Sequence, residues 1–235
     1  MNEGATLENR IAGVRRRIAA AAQQADRDPD DIRLIAVTKT HPVATVRAAV
    51  AAGLRDLGEN RTDELVEKST VIEARWHLVG RLQRNKVRDV IGRATLIHSV
   101  DRPSLIDAIG RQAVVRGLVQ DVLLQVNVGE DPAKGGCRLA ELPDLVSYAS
   151  SSPGVRVVGL MTVPPLPGAG VDPSDAARSF FRVLREARDR LRPGHPTLEE
   201  LSMGMSDDLE AAVLEGATMV RIGSALFGAR EEVIR

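Results

Sequence analysis

The sequence predicts a single α/β domain that folds as a closed (β/α)8 barrel with an extra N-terminal helix. Two observations support this prediction. Eight short apolar segments alternate with helical segments at fairly even spacing, and no linker interrupts the 235 residues. Such alternation is typical of parallel βα units, and a barrel of this kind takes roughly 250 residues. We therefore assign residues 1–235 to one domain.

The first two elements have the clearest patterns. Residues 7–24 carry apolar side chains at spacings of three and four, which predicts an amphipathic helix. Leu34 to Thr38 is a mostly apolar, branched segment, which predicts a strand buried on both faces. Because no Gly-x-Gly-x-x-Gly follows this strand, the alternative fold, a doubly wound open sheet that binds a dinucleotide, is disfavoured.

The remaining elements alternate in the same way. Glycine and proline mark several of their ends, as at Gly53 and Pro103. We predict helices over 43–52, 62–74, 85–92, from Pro103 onward, 139–149, 174–191, 207–214 and 231–235, and strands over 55–58, 75–80, 95–100, 122–128, 155–160, 200–203 and 218–223.

Composition excludes several classes of protein. Lys plus Arg and Asp plus Glu both number 32, so the net charge is zero and we expect no nucleic-acid partner. The single cysteine, Cys137, rules out an internal disulfide and suits a reducing compartment. No signal-peptide segment and no membrane-length apolar run is found in the sequence. We expect a soluble, cytoplasmic protein without a membrane partner.

Lys39 is the first candidate functional residue, because it follows the apolar first strand directly. Where water is scarce the ammonium is disfavoured, and the free amine becomes a nucleophile toward carbonyls. The alternative is a surface lysine whose charged end stays in water.

Further candidate residues lie at or just beyond predicted strand ends, where the active site of a (β/α)8 barrel is found. They are Asn60, His77, Met161, Ser202 and Arg221, together with Asn127.

Two loops are candidates for phosphate binding. The loops after strands seven and eight often bind phosphate in these barrels, because glycines expose backbone N–H groups and hydroxyls add donors. Ser202, Gly204, Gly223 and Ser224 lie there. Ser206 is interpreted as a helix N-cap, since two aspartates follow it.

Arg221 interrupts an apolar strand, so its guanidinium needs an acceptor. A carboxylate, a phosphate or a ring nitrogen would serve, and a structural ion pair with Glu199 or Glu200 is the alternative.

The histidines form no metal-binding pattern. Cys137 lies near Lys134, which could activate its thiol, although a lone cysteine is more often inert.

Several sequence blocks resemble one family. The blocks are Ala36-Val37-Thr38-Lys39, Gly58-Glu59-Asn60, Trp76 to Lys86, Ile97 to Asp101, Gly159-Leu160-Met161, Leu201 to Asp208 and Val220 to Arg230. Together they are similar to the pyridoxal phosphate homeostasis proteins, also called proline synthase co-transcribed homologues, which resemble the N-terminal barrel of alanine racemase.

The resemblance implies roles for individual residues. Lys39 would form a Schiff base with pyridoxal 5′-phosphate (PLP), so that the cofactor is held covalently. Arg221 would face the pyridine nitrogen, and Ser202, Gly223 and Ser224 would hold the phosphate. We count six further residues as cofactor-binding candidates, and these are Asn60, His77, Met161, Met203, Gly204 and Ile222.

The residues favour a carrier over an enzyme. Arginine keeps its proton, so the pyridine nitrogen beside it would stay unprotonated and the ring would withdraw electrons weakly. Alanine racemases share this arginine, but their second base is a tyrosine from another domain. Here the one tyrosine, Tyr148, falls on a predicted outer helix. We expect little or no turnover of amino acids and a role in vitamin B6 homeostasis as a carrier or regulator.

Two enzyme alternatives stay open. One is an amino-acid racemase or related PLP enzyme that uses His77 or His195 as its second base, and the other is an aldolase-type barrel in which Lys39 condenses with a sugar phosphate. For the carrier we expect PLP-dependent apoenzymes as partners, and a monomer.

Overall fold

Eight parallel strands form the centre of the molecule and close into a barrel. The computed structural model describes residues 6–132, 134–166, 168 and 172–228. The strands are β1 (Arg33–Val37), β2 (Asp56–Glu59), β3 (Arg75–Leu78), β4 (Leu96–Val100), β5 (Gln120–Gln125), β6 (Val155–Met161), β7 (Glu200–Ser202) and β8 (Met219–Ile222). The pairing of β1 with both β2 and β8 closes the ring, so the predicted (β/α)8 barrel is confirmed.

Helices connect the strands. They are α1 (Leu7–Gln24), α2 (Val43–Ala51), α3 (Thr62–Val71), α4 (Val87–Val90), α5 (Pro103–Val115), α6 (Leu142–Ser150), α7 (Pro173–Leu191), α8 (Leu209–Leu214) and α9 (Ser224–Phe227). The extra N-terminal helix α1 packs on α8 and α9. Among the described residues, no helix has the length and apolar character needed to cross a membrane.

Most predicted element ends lie within three residues of the observed ones, and three differences concern the elements themselves. The helix predicted over 85–92 is a 3₁₀ turn followed by the one-turn helix α4. Helix α8 begins at Leu209, because Asp208 rather than Ser206 occupies the N-cap position. The short helix α9 was not predicted, and the helix predicted over 231–235 lies outside the described residues.

The interior of the barrel is part apolar and part polar. Ile35, Leu96, Leu123, Met161 and Met219 form an apolar cluster inside it, separate from the larger core between the strands and the helices. Polar side chains occupy other parts of the same interior, among them two fully buried histidines.

Candidate functional site

A cavity of about 380 Å³ opens beyond the carboxyl ends of the strands. Five predicted site residues line it together with eight other residues. The lining consists of Val37, Lys39, His41, Asn60, Val79, Val163, Met205, Ser206, Asp207, Arg221, Gly223, Ser224 and Gly228. The residues come mainly from β1, β8 and the loops after β2, β3, β6 and β7, which is the position that the barrel fold predicts for a site.

Lys39 is the second residue beyond β1, and its side chain is half-buried on the cavity wall. The position follows from the strand, because β1 delivers the chain to the carboxyl-end face of the barrel. Lys39 therefore lies on the cavity wall, and its role as a nucleophile stays a prediction.

Arg221 lies on β8 and is only 5% exposed. Its Nη1 donates to Ser202 Oγ at 2.7 Å, and its Nη2 donates to the Thr162 carbonyl oxygen at 2.9 Å. A guanidinium has five N–H groups. With two of them used, three remain without a hydrogen-bond partner among the described residues. Burial lowers the pKa of Arg221 to about 10, so the group is charged at neutral pH.

The alternative ion pair of Arg221 with Glu199 or Glu200 is not formed. Glu200 pairs instead with Arg33 at 3.4 Å, and Glu199 pairs with Arg192 at 3.6 Å. Arg221 is therefore a buried cation at the cavity wall with neutral hydrogen-bond partners.

A buried hydrogen-bonded chain connects Arg221 to the far side of the barrel. Ser202 Oγ lies 2.9 Å from His98 Nδ1, His98 Nε2 lies 3.0 Å from His77 Nδ1, and His77 Nε2 lies 3.0 Å from Asp56 Oδ1. All five side chains in this chain are buried. Arg75 completes it at the far end with two hydrogen bonds to the Asp56 carboxylate, at 2.8 and 2.6 Å.

The protonation states along the chain follow from burial. Burial raises the pKa of Asp56, but hydrogen bonds from His77 and Arg75 outweigh it and bring the pKa down to about 2. Burial lowers the pKa of His77, and it lowers the pKa of His98 well below the usual range. At neutral pH Asp56 is therefore ionised and both histidines are neutral.

These charge states allow one direction of donation. Ionised Asp56 can only accept, so His77 donates from Nε2 and accepts at Nδ1. His98 then donates from Nε2 and accepts at Nδ1 the proton of Ser202, whose oxygen accepts from Arg221. Every donor points away from Arg221 and toward Asp56.

The structure brings five of the predicted site residues to the cavity and leaves six away from its lining. His77 and Ser202 point into the barrel as members of the buried chain, and Met161 belongs to the apolar cluster there. Met203 and Ile222 point the other way, into the core beneath the helices. Gly204, with φ of 94°, packs against Ala212, where a Cβ would lie 2.5 Å from the Ala212 Cβ. The assignment of these six residues to the cofactor stays a prediction.

Ser206 and His41 line the cavity, although neither was predicted as a site residue. Ser206 Oγ accepts hydrogen bonds from the Ala225 N–H at 3.2 Å and from the Ser224 hydroxyl at 3.0 Å. The sequence block from Leu201 to Asp208 contained the signal, but the aspartates that follow Ser206 suggested a helix cap instead.

The other candidate groups lie elsewhere. Burial raises the pKa of the Cys137 thiol to about 12, so activation by Lys134 is not supported. Tyr148 lies on the outer helix α6 and donates to Asp107 at 2.6 Å, and His195 lies 3.2 Å from the exposed Ser150 hydroxyl. Within the described part of the chain, no group of three or more His, Cys, Asp or Glu residues could hold a metal ion.

Comparisons with known proteins agree with this architecture. Residues 11–231 match the family model of the alanine racemase N-terminal domain. An alanine racemase from Clostridium difficile shares the fold with a TM-score of 0.73 at 16% identity, covering 97% of this chain and 57% of that chain.

Similarity to one group of proteins extends over nearly the full length. The chain is 42% identical over 226 residues to a pyridoxal phosphate homeostasis protein of Aquifex aeolicus, covering 94% of this chain and 97% of that protein. It is 44% identical over 229 residues to the protein of the same name from Pseudomonas aeruginosa, covering 96% of each. The structure of PipY from Synechococcus elongatus with PLP bound has a TM-score of 0.81 at 35% identity, covering 95% of this chain and 100% of that chain. The chain belongs to the family of pyridoxal phosphate homeostasis proteins, within the fold of the alanine racemase N-terminal domain.

Proposed function

We propose that this protein binds PLP in the cavity through a Schiff base at Lys39 and acts in vitamin B6 homeostasis by holding the cofactor for other proteins. The observation that carries the proposal is a lysine amine and a buried, charged guanidinium on the wall of one cavity. Family membership and the PLP-bound PipY structure support the choice of cofactor.

The cavity residues fit the three ends of PLP. Lys39 supplies the amine for the aldehyde: its nitrogen forms a C=N bond with the aldehyde carbon, and the aldehyde oxygen leaves as water. Arg221 supplies N–H donors for the pyridine nitrogen. Gly223 also lines the cavity, and we assign its backbone N–H to the phosphate.

The Ser206 hydroxyl completes the proposed phosphate site, and the Ser224 hydroxyl holds it by donating to its oxygen. Ser206 Oγ accepts from Ser224 and from the Ala225 N–H, which leaves the Ser206 proton available to a phosphate oxygen. Arg17 donates to the Ser206 carbonyl oxygen at 2.9 Å and so holds this loop from α1. We therefore assign to Ser206 the phosphate-binding role that the sequence suggested for Ser202.

The residues around the cavity favour a carrier. Bound PLP supplies an electron-withdrawing ring, but Arg221 cannot give up its proton to the ring nitrogen, so that withdrawal stays weak. The described chain offers no tyrosine at the cavity, since Tyr148 lies on α6. We infer that the cofactor passes to PLP-dependent apoenzymes in the cytoplasm without turnover of amino acids.

Absorbance tests the attachment. Purified protein should show the visible absorbance of a PLP Schiff base, and Lys39→Ala should abolish it. Lys86→Ala is the control, because Lys86 forms an exposed ion pair with Asp63. Borohydride reduction followed by peptide mass analysis should locate the cofactor on Lys39. Colour that survives in Lys39→Ala, or a label on another lysine, refutes the attachment, and a colourless protein that condenses with a sugar phosphate supports the aldolase alternative.

The racemase alternative has one observation in its favour, which is the imidazole of His41 on the cavity wall. Its ring centroid lies 4.9 Å from that of Phe227. We expect no exchange of the α-proton when the loaded protein is mixed with L-alanine in deuterated buffer. Exchange over many turnovers that is lost in His41→Gln would establish catalysis and overturn the carrier assignment.

A further inference from the structure

Three ionisable side chains form a buried cluster behind Lys39. Glu59 is the last residue of β2, and Glu64 and Lys68 lie one turn apart on α3. The side chains of Lys68 and Glu59 are 4% and 0% exposed, and that of Glu64 is 20% exposed. Burying an ammonium with carboxylates costs desolvation free energy, so such a cluster is weak evidence for stability alone and calls for another explanation.

The hydrogen bonds of Lys68 use all three of its donors. Its Nζ donates to Glu59 Oε1 at 2.7 Å, to Glu64 Oε2 at 3.0 Å and to the Thr38 carbonyl oxygen at 2.8 Å. Thr38 is the residue before Lys39.

The carboxylates hold both neighbours of Lys39. The Thr38 hydroxyl donates to Glu59 Oε1 at 2.6 Å, and the Thr40 backbone N–H donates to Glu64 Oε2 at 2.7 Å. The cluster thus binds the residue on each side of Lys39.

Thr40 adopts a backbone conformation that requires such support. Its φ is 68°, in the left-handed region that β-branched residues rarely adopt. Strained residues of this kind persist only where the surroundings hold them, and they cluster at functional sites. The hydrogen bond from Thr40 to Glu64 provides that hold at the turn that sends the Lys39 side chain into the cavity.

We propose that Glu59, Glu64 and Lys68 are positioning residues that fix the Lys39 backbone so that its amine meets the aldehyde of PLP. The inference rests on the proposed function of Lys39. Glu64 is the decisive member, because it alone holds the strained Thr40.

Two substitutions of Glu64 separate position from charge. Glu64→Ala removes the acceptor of the Thr40 N–H and one negative charge. Glu64→Gln removes the same charge but keeps an oxygen that can accept from both Thr40 and Lys68. Asp63→Ala is the matched control, since Asp63 is the adjacent residue of α3 and forms an exposed ion pair with Lys86.

The measurement is the rate at which visible absorbance appears when PLP is added to cofactor-free protein, followed over a range of pH. Because misplacing a reacting group by about 1 Å can cost up to about a hundredfold in rate, we expect Glu64→Ala to slow loading by about tenfold or more. Glu64→Gln and Asp63→Ala should stay within about threefold of the wild type. Glu64→Ala and Glu64→Gln should share one midpoint in the pH profile, because their charge is the same.

A second variant tests the role of the backbone. Glycine adopts positive φ without the steric cost, so Thr40→Gly in the Glu64→Ala background should restore part of the loading rate. Equal rates for Glu64→Ala and wild type, or equal losses in Glu64→Ala and Glu64→Gln, overturn the positioning role. Wild-type protein that never gains absorbance refutes the proposed function itself, so the two failures are distinguishable.

Discussion

Ser202→Ala gives the most direct test of the buried chain. The substitution leaves Arg221 Nη1 without its acceptor at 2.7 Å and His98 Nδ1 without its donor at 2.9 Å. Ser202 and His98 are fully buried, so bulk water cannot replace the lost hydroxyl. A hydrogen bond to a charged group contributes about 1.5–3 kcal/mol and one between neutral groups about 0.5–1.5 kcal/mol, which gives a loss of roughly 2–4.5 kcal/mol.

Urea unfolding followed by circular dichroism measures this loss. For a chain of this length, each 1 kcal/mol shifts the thermal midpoint by about 2–4 °C, so a loss of about 3 kcal/mol should lower it by about 6–12 °C. Ser147→Ala is the control, because the Ser147 hydroxyl donates to the Pro143 carbonyl on an exposed face of α6 and should change stability by less than about 0.5 kcal/mol. If Ser202→Ala unfolds within about 1 kcal/mol of the wild type, the hydroxyl does not link Arg221 to His98 as the distances indicate.

Three further predictions concern other parts of the molecule. Because burial lowers the pKa of His98, the unfolded chain takes up a proton below about pH 6.5 that the folded protein excludes, so the free energy of unfolding should fall by up to about 1.4 kcal/mol per pH unit below that value. Urea unfolding at several pH values measures this slope, and His98→Gln should make it shallower. An unchanged slope in His98→Gln would contradict the assignment of the lowered pKa to His98. A Cβ on Gly80 would lie 2.1 Å from the Asn60 carbonyl oxygen, so Gly80→Ala should displace Asn60, which lines the cavity, and lower both thermal stability and PLP affinity. Gly13→Ala is the contrasting substitution, because a Cβ on Gly13 in helix α1 would have no atom nearer than 3.9 Å. It should stabilise the protein by up to about 1 kcal/mol. Cys137, buried and with its pKa raised to about 12, should resist alkylation in the folded protein and react promptly in urea, and rapid labelling of the native state would show that the thiol is accessible.

The sequence predicted the barrel because its signal is repeated. Each of eight apolar segments alternates with a helical segment, so an error in the bounds of one element does not change the predicted topology. Lys39 and Arg221 could be chosen as candidates, and predicted to lie near the cavity, for a related reason, since each is a charged residue at or in an apolar strand.

The sequence could not show that the Ser202 side chain faces the barrel interior rather than the cavity. Strand β7 is three residues long, too short for its alternation to show which side chains face the barrel interior. His77 presents the same difficulty, because its partners Asp56 and His98 come from neighbouring strands whose register is a tertiary property. Ser206 was missed because serine before acidic residues is also typical of a helix cap.

The single direction of donation along the buried chain has an electrostatic consequence for Arg221. Because all the bond dipoles point the same way, their effects add. The positive ends face the Asp56 carboxylate and the negative ends face the Arg221 guanidinium, so the chain stabilises both charges although the two groups are not in contact. A carboxylate in direct contact would occupy the same N–H groups in a bidentate pair. Balancing the cation at a distance keeps one edge of Arg221 open to a neutral acceptor such as a ring nitrogen.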